Sequence, residues 1–113
     1  MSDRPAPTDN ASQWYSFDDG ATLGTVGSES GTILRDEEHP AGARITLERD
    51  GRNAPFAITC GIYGGRFLHT VFRRSEAEAL TNYDAMRTRL AELASRDDDI
   101  YNDLHAFIEQ FPT

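Results

Sequence analysis

The chain has 113 residues, of which 38% are hydrophobic and 27% charged, and a formal net charge of −8. These values fit one globular domain and disfavour nucleic-acid binding, because contacts with phosphates need clustered positive charge. The single cysteine, Cys60, excludes an internal disulfide and any zinc site built from several cysteines.

The first 13 residues are mostly polar and include Pro5 and Pro7, which predicts a disordered tail at residues 1–13. No apolar run in this tail suits a signal peptide, and no later stretch is long enough to span a bilayer. We therefore expect a cytoplasmic protein that does not bind membranes, with residues 14–113 forming a single domain.

The middle of the chain predicts an antiparallel β-meander of four or five strands, because short apolar runs alternate with turn residues. Residues 43–49 show the clearest alternation, with Ala43, Ile45 and Leu47 on one side. The glycine-spaced segment 20–31 is interpreted as turns and an irregular edge strand. The predicted strands are 14–17, 32–37, 43–49, 55–63 and 66–72.

The last two strands are joined by Gly64-Gly65, which predicts a two-residue turn with positive φ at both positions. This turn pairs Cys60 with His69 across the hairpin. Alternation gives the hairpin two faces. The predicted core face carries Phe56, Ile58, Cys60, Ile62, Phe67, His69 and Val71, and the second face carries Ala57, Thr59, Gly61, Tyr63, Leu68, Thr70 and Phe72.

Ser75, with Glu78 three residues later, is a capping box that predicts a helix from residue 76. Apolar residues recur every three or four positions from Ala79, and the same phase continues to Phe111. One helix over 76–111 would be about 54 Å long, which is long for so small a domain. We therefore predict two amphipathic helices that break near 95–99 and pack on one sheet face, in an α+β fold. A single continuous helix is the alternative.

Cys60 and His69 are the candidate catalytic residues, since a thiol beside an imidazole is how a nucleophilic cysteine is activated. Both lie on the predicted core face, where an apolar environment keeps a thiol protonated. We therefore expect a structural cysteine rather than a nucleophile.

Asp36-Glu37-Glu38-His39 is a run of possible metal ligands at a predicted turn, but metal sites need ligands that converge from several segments. The glycine-spaced segment 20–31 matches neither the dinucleotide-binding nor the nucleotide-phosphate motif. The chain has no lysine, which excludes Schiff-base chemistry. We predict no metal site and no cofactor.

The second face of the hairpin gives the best functional indication. Tyr63, Leu68 and Phe72 would form an apolar and aromatic patch, and Arg44 and Arg66 would lie at its rim. This composition is typical of interfaces. The alternative is that the N-terminal segment or the last helix of the same chain covers the patch.

We therefore predict a non-catalytic, acidic interaction or regulatory module that binds a protein partner or forms a homodimer. The negative charge suits a basic partner surface, or serves only solubility. The alternative is a small-molecule-binding domain or small enzyme that uses a cleft near Cys60 and His69.

Overall fold

The computed structural model describes residues 13–113, so the predicted tail lies outside the described residues except for Gln13. Five strands form one antiparallel sheet in chain order, and two helices follow them. This confirms the predicted α+β meander. The elements are β1 (Tyr15–Ser16), β2 (Thr32–His39), β3 (Ala43–Arg49), β4 (Phe56–Ile62), β5 (Phe67–Arg73), α1 (Glu76–Ala94) and α2 (Tyr101–Gln110).

Strand β3 shows how the sequence gives the sheet one dry face. Ala43, Ile45 and Leu47 are at most 1% exposed, whereas Arg44 and Thr46 on the opposite side are half-buried. Helix α1 packs over the dry face, against β3, β4 and β5. Each large apolar side chain removed from water there contributes about 1.5–3 kcal/mol. The α1 residues with no exposed surface are Ala79, Tyr83, Met86, Leu90, Ala91 and Leu93.

The β4–β5 hairpin has the predicted register, with Cys60 paired to His69. Gly64 and Gly65 both have positive φ, at 82° and 73°, as predicted for the turn.

The turn itself is longer than the sequence predicts, because β4 ends at Ile62 and β5 begins at Phe67. Four residues therefore connect the strands. The backbone N–H of Tyr63 donates to the carbonyl of Gly42, in the β2–β3 turn, at 2.8 Å. A residue bonded to that neighbouring turn cannot also use this N–H to close a two-residue hairpin.

Helix α1 begins where the capping box predicts. The side-chain oxygen of Ser75 accepts a hydrogen bond from the backbone N–H of Glu78 at 3.2 Å. This bond satisfies one of the N–H groups that the first turn of a helix leaves without a partner.

The helical segment is divided as predicted, between Ala94 and Tyr101. The hydroxyl of Ser95 donates to the carbonyl of Ala91 at 2.8 Å, and the carboxylate of Asp99 accepts from the N–H of Tyr101 at 2.9 Å. Such short polar side chains compete with the helical hydrogen bonds, so they end one helix and begin the next without glycine or proline. Across residues 13–113, neither helix has the length and apolar character that crossing a membrane requires.

Candidate functional site

The helices cover one face of the sheet, and we call the opposite side the open face. Its centre is a row of polar side chains, because Asp36, Thr46, Thr59 and Thr70 are register partners across β2 to β5. The hydroxyls of Thr59 and Thr70 lie 3.1 Å apart. Strand alternation places these residues on the open face: Asp36, Glu38, Arg44, Thr46, Glu48, Ala57, Thr59, Gly61, Leu68, Thr70 and Phe72.

Residues 20–31, which we call the glycine loop, fold over the β2–β3 half of the open face around a buried carboxylate. Glu48 is 1% exposed. Its Oε1 accepts hydrogen bonds from the backbone N–H groups of Glu29 at 3.1 Å and Gly31 at 3.0 Å. Donors of this kind offset the cost of removing a carboxylate from water. The glycine loop therefore does hold an anion, but that anion is a side chain of the same chain.

Glycine is required in this loop because the backbone passes very close to β3. A Cβ at Gly27 would lie 2.4 Å from Cδ of Glu48, and a Cβ at Gly31 would lie 2.6 Å from the carbonyl of Arg49. Spacing along the sequence does not reveal this need, since the crowding atoms belong to another strand.

Arg44 fixes the beginning of the loop. Its Nε and Nη2 donate to the two carboxylate oxygens of Asp36 at 2.9 and 2.7 Å. Its guanidinium lies 3.6 Å from the ring centroid of Phe17, and the hydroxyl of Thr22 donates to Asp36 at 2.8 Å. The hydrogen bond to Asp36 raises the pKa of Arg44. Contacts within the chain therefore hold this arginine in place, while 35% of its side-chain surface stays exposed.

A groove of about 630 Å³ lies on the open face beside the glycine loop. Thr46, Thr59 and Gly61 line it from the sheet, while Val26 from the loop and Leu68 from β5 border it. Val26 and Leu68 are 76% and 77% exposed. The groove thus combines hydroxyl groups with two aliphatic side chains that face solvent.

Two tyrosines share one carboxylate beside Arg44. Tyr15 and Tyr63 donate to Oε1 and Oε2 of Glu38, at 2.9 and 2.6 Å. Burial, assisted by the bond to Glu38, raises the pKa of Tyr63 to about 12. The same carboxylate raises the pKa of Tyr15. Both phenols therefore remain protonated donors at neutral pH.

The five residues predicted for an interface differ in their surroundings. Leu68 and Tyr63 are exposed, at 77% and 45%, and Phe72 is half-buried on the same side. Arg66 is exposed in the hairpin turn, whereas Arg44 is held by Asp36.

Segments of the same chain cover the predicted patch only in part. Trp14 belongs to the core, where its ring packs edge-on against His39. Helix α2 packs on the helix-covered side, where Phe107 contacts Phe67. The N-terminal segment reaches the open face through Tyr15, Phe17 and the glycine loop, and this leaves Leu68 exposed.

Cys60 and His69 lie in the core-side pair that the register predicts. Cys60 is 1% exposed, and burial raises the pKa of its thiol to about 12, so the thiol is neutral near pH 7. Nε2 of His69 lies 2.6 Å from the carbonyl oxygen of Phe111. Because a carbonyl only accepts, this nitrogen carries the proton and donates. The surroundings of Cys60 thus favour a structural role.

The run Asp36 to His39 lies within β2 rather than at a turn. Alternation places Asp36 and Glu38 on the open face. Glu37 points to the helix side, where it accepts a hydrogen bond from the hydroxyl of Tyr83 at 2.8 Å. No group of three or more His, Cys, Asp or Glu side chains within residues 13–113 is placed to hold a metal ion.

No protein-family model, curated protein or solved structure matches this chain. Two important residues of the open face were not identified from the sequence. Glu48 has the sequence pattern of an ordinary solvent-facing strand residue, and Val26 lies in a segment without periodicity.

Proposed function

We propose that the chain is a non-catalytic protein-interaction module whose binding surface is the open face. The observation that carries this proposal is the exposure of Leu68, Val26 and Tyr63 around one groove, at 77%, 76% and 45%. Exposed apolar side chains that are grouped and bordered by polar residues are typical of protein-binding surfaces. We also propose a cytoplasmic location, and this part of the proposal rests on the sequence alone.

A homodimer through this face is the simplest form of the proposal. Two-fold contacts are self-complementary and are the commonest arrangement among soluble oligomers. Pairing of open faces would bury Tyr63, Leu68 and Phe72 and would keep the acidic helices outside.

The test compares two identical substitutions on opposite sides of the molecule. Leu68→Asp changes the open face, and Leu80→Asp changes an exposed leucine of α1. We expect Leu68→Asp to abolish self-association in light scattering at high micromolar concentration, or to abolish capture of a partner from the native lysate. Leu80→Asp should preserve both. The proposal would be refuted if the wild type were monomeric and if the wild type, Leu68→Asp and Leu80→Asp all captured the same partners.

The size of the groove favours one second candidate, a small-molecule-binding domain. Its volume of about 630 Å³ falls within the usual range for ligand sites, roughly 300–1,000 Å³. Of the two residues near which the sequence predicts a cleft, Cys60 is among the residues that line this groove and His69 is not. A compound that raises the melting temperature of the wild type, but not of a Thr59→Val variant, would favour this candidate.

A further inference from the structure

Within residues 13–113, strand β5 forms one edge of the sheet, because β4 is the strand that pairs with it. Strand β5 has seven residues and pairs with β4 without a bulge, whereas the opposite edge strand, β1, has two. Long edges are normally protected by proline, lysine or bulges, because their unpaired backbone groups attract another strand. Strand β5 contains neither proline nor lysine, so its edge lacks these protections.

The register of the sheet determines which backbone groups of β5 face outward. The N–H of Tyr63 donates to the carbonyl of Gly42, on the β3 side of β4. Backbone groups alternate in direction along a strand, so every second residue from Ile62 back to Phe56 bonds toward β5. The β5 residues paired with these bond toward β4, and the others direct their N–H and C=O away from the sheet. The outward-facing residues are Leu68, Thr70 and Phe72.

These three residues have few partners at the edge. Within residues 13–113, their backbone groups form no hydrogen bond with main chain outside the sheet. The carbonyl of Phe72 accepts one from Nη1 of Arg73 at 2.7 Å. Their side chains lie on the open face, where Leu68 is exposed, so the edge continues the proposed binding surface. An extended segment carries N–H and C=O groups at the matching spacing, and such segments bind by joining an exposed sheet edge.

Helix α2 lies over β5 on the helix-covered side of the sheet. The ring centroid of Phe107 is 5.4 Å from that of Phe67 and 6.3 Å from that of His69. His69 also donates to the carbonyl of Phe111, at the end of α2. A strand added to β5 would therefore run beside α2 on one side and face solvent on the other.

This position of α2 disfavours a second copy of the chain at the edge. Two β5 strands paired across a two-fold axis would be about 4.8 Å apart, and each would carry its α2 on the same side of the joined sheet. Helices that pack side by side need roughly 8–10 Å between their axes. A single extended segment brings no helix, so it fits where a second copy does not.

The charges around the edge favour an acidic partner. Arg66 precedes β5 and Arg74 follows it, and both are exposed. Within residues 13–113, neither forms an ion pair. Arg73 donates to uncharged acceptors, which are the main-chain oxygens of Phe72 and Pro112 and the side-chain oxygen of Asn82. The positive charge of these arginines is therefore left for a carboxylate of another molecule.

The local charge at the edge differs from that of the whole chain. Residues 64–75 contain three arginines and no carboxylate. The next carboxylates, Glu76 and Glu78, lie in the first turn of α1, where the positive end of the helix dipole partly balances them. Exposed charges more than about 10 Å away are largely screened at 0.1 M salt, roughly the physiological range. The edge can therefore attract a carboxylate although the net charge of the chain is −8.

We infer that β5 binds an extended segment of a partner protein as a sixth strand of the sheet, and that carboxylates lie at both ends of this segment. This inference rests on the proposed function and adds the mode of binding and the chemistry of the partner. From Leu68 to Phe72 the edge is about 13 Å long at roughly 3.3 Å per residue, so about five residues cover its outward groups. A carboxylate beyond each end would then lie near Arg66 or near Arg73 and Arg74.

The probe for this inference is a fluorescently labelled heptapeptide, acetyl-Asp-Val-Thr-Val-Thr-Val-Asp-amide, titrated with the full chain and followed by anisotropy. A scan places one N-methyl group in turn on each of the central residues. Along a strand added to β5, alternate N–H groups bond to the edge and the others face away. Neighbouring methylated peptides therefore serve as matched controls for each other. A further peptide replaces both aspartates by asparagine.

We expect N-methylation to weaken binding about tenfold at alternate residues and less than about twofold at the residues between them. Uniform weakening by every methyl group would overturn the inference, because it would show that no strand is paired. The asparagine peptide should bind at least about threefold more weakly than the parent peptide, and equal binding would refute the acidic partner. No binding of the parent peptide at about 1 mM would overturn the inference as well.

Variants of the chain test the same contact from the other side. Thr70→Pro removes an outward N–H but no bond to β4, and Thr70→Val is its control because it removes only the hydroxyl. The proline variant should bind the peptide about tenfold more weakly, and the valine variant less than about twofold. Arg74→Gln should weaken binding about threefold, and Arg52→Gln, which changes an exposed arginine between β3 and β4, should not.

Equal effects within either pair of variants would overturn the inference. Circular dichroism would establish that each variant is folded. If the proline variant does not fold, the methylation scan on the wild type decides. A dimer that Thr70→Pro dissociates and Thr70→Val does not would identify a second copy as the occupant of the edge, and this would also overturn the inference.

Failure of this inference can be distinguished from failure of the proposed function. If Leu68→Asp abolished self-association or partner capture while no peptide bound, the open face would stand as the binding surface and the added strand would be refuted. If the peptides bound as expected and Leu68→Asp changed neither self-association nor capture, the proposed function would fail and the edge alone would be the binding site.

Discussion

Replacing Glu48 by alanine removes the carboxylate around which the glycine loop folds. The backbone N–H groups of Glu29 and Gly31 then lose their acceptor. An unsatisfied buried donor costs about 1–3 kcal/mol, so the two together predict a loss of about 2–6 kcal/mol. Unfolding entropy of about 0.2 kcal/mol/K for a domain of roughly 100 residues converts a loss of 3 kcal/mol into a fall of about 14 °C in Tm.

Urea and thermal denaturation, followed by circular dichroism and by the fluorescence of Trp14, would measure this loss. Glu109→Ala is the control, because it removes a glutamate from an exposed position on α2. A loss below about 0.5 kcal/mol, the usual scale of surface substitutions, would refute the view that Glu48 organises the loop.

A double-mutant cycle with Gly27 tests the same contact from the other side. Gly27→Ala places a Cβ 2.4 Å from Cδ of Glu48 in the wild type, so we expect it to destabilise the chain by about 1–3 kcal/mol. In the Glu48→Ala background the crowding atoms are gone and most of this cost should disappear. If the losses of the two single variants simply added up in the double variant, the close approach would be contradicted. Residues in contact normally have a coupling energy of roughly 0.5 kcal/mol or more.

Three further predictions concern the helix cap, the cysteine and the shared carboxylate. Ser75→Ala should lower the free energy of unfolding by about 0.5–2 kcal/mol in urea titrations, and an unchanged midpoint would show that the hydrogen bond to Glu78 contributes nothing. Cys60 should resist thiol labelling at pH 8 in the folded protein and react fully in denaturant, because its thiol is buried and neutral; rapid labelling without unfolding would count against a structural cysteine. The raised pKa of Tyr63, about 12 against 10.0 for a free phenol, favours the folded state below pH 10 and ceases to do so as pH rises from 10 to 12. The Tyr63→Phe variant should therefore lose less stability than the wild type between pH 10 and pH 12 in alkaline denaturation, and identical pH profiles would refute the raised pKa of Tyr63.

The regular elements could be predicted because local patterns determine them. Alternation over residues 43–49 indicated a half-buried strand, and Ser75 with Glu78 marked the start of α1. The pairing of Cys60 with His69 followed from Gly64-Gly65. Even there the turn proved longer, because the N–H of Tyr63 bonds to another part of the sheet.

The candidate site was harder to predict because its contacts join residues that are distant in sequence. Nothing local to Glu48 shows that the glycine loop will fold over it. The same holds for Arg44, which the sequence suggested as a rim residue and which Asp36 and Phe17 hold in place. The apolar patch around Leu68 could be predicted, because its face of the hairpin carries more apolar residues than a solvent-facing strand surface normally does.

The order of the elements has a consequence for synthesis of the chain on the ribosome. All five strands precede the helices, so the sheet can emerge before α1 and α2 exist to cover its apolar side. At about 5–20 residues per second, the 37 residues from the end of β5 to the end of α2 take about 2–7 s to appear. Until α1 is complete, Ile45, Ile58 and Val71 lack the helix that packs against their strands. Nascent chains stalled after β5 should therefore bind chaperones, and chains that include α2 should be released.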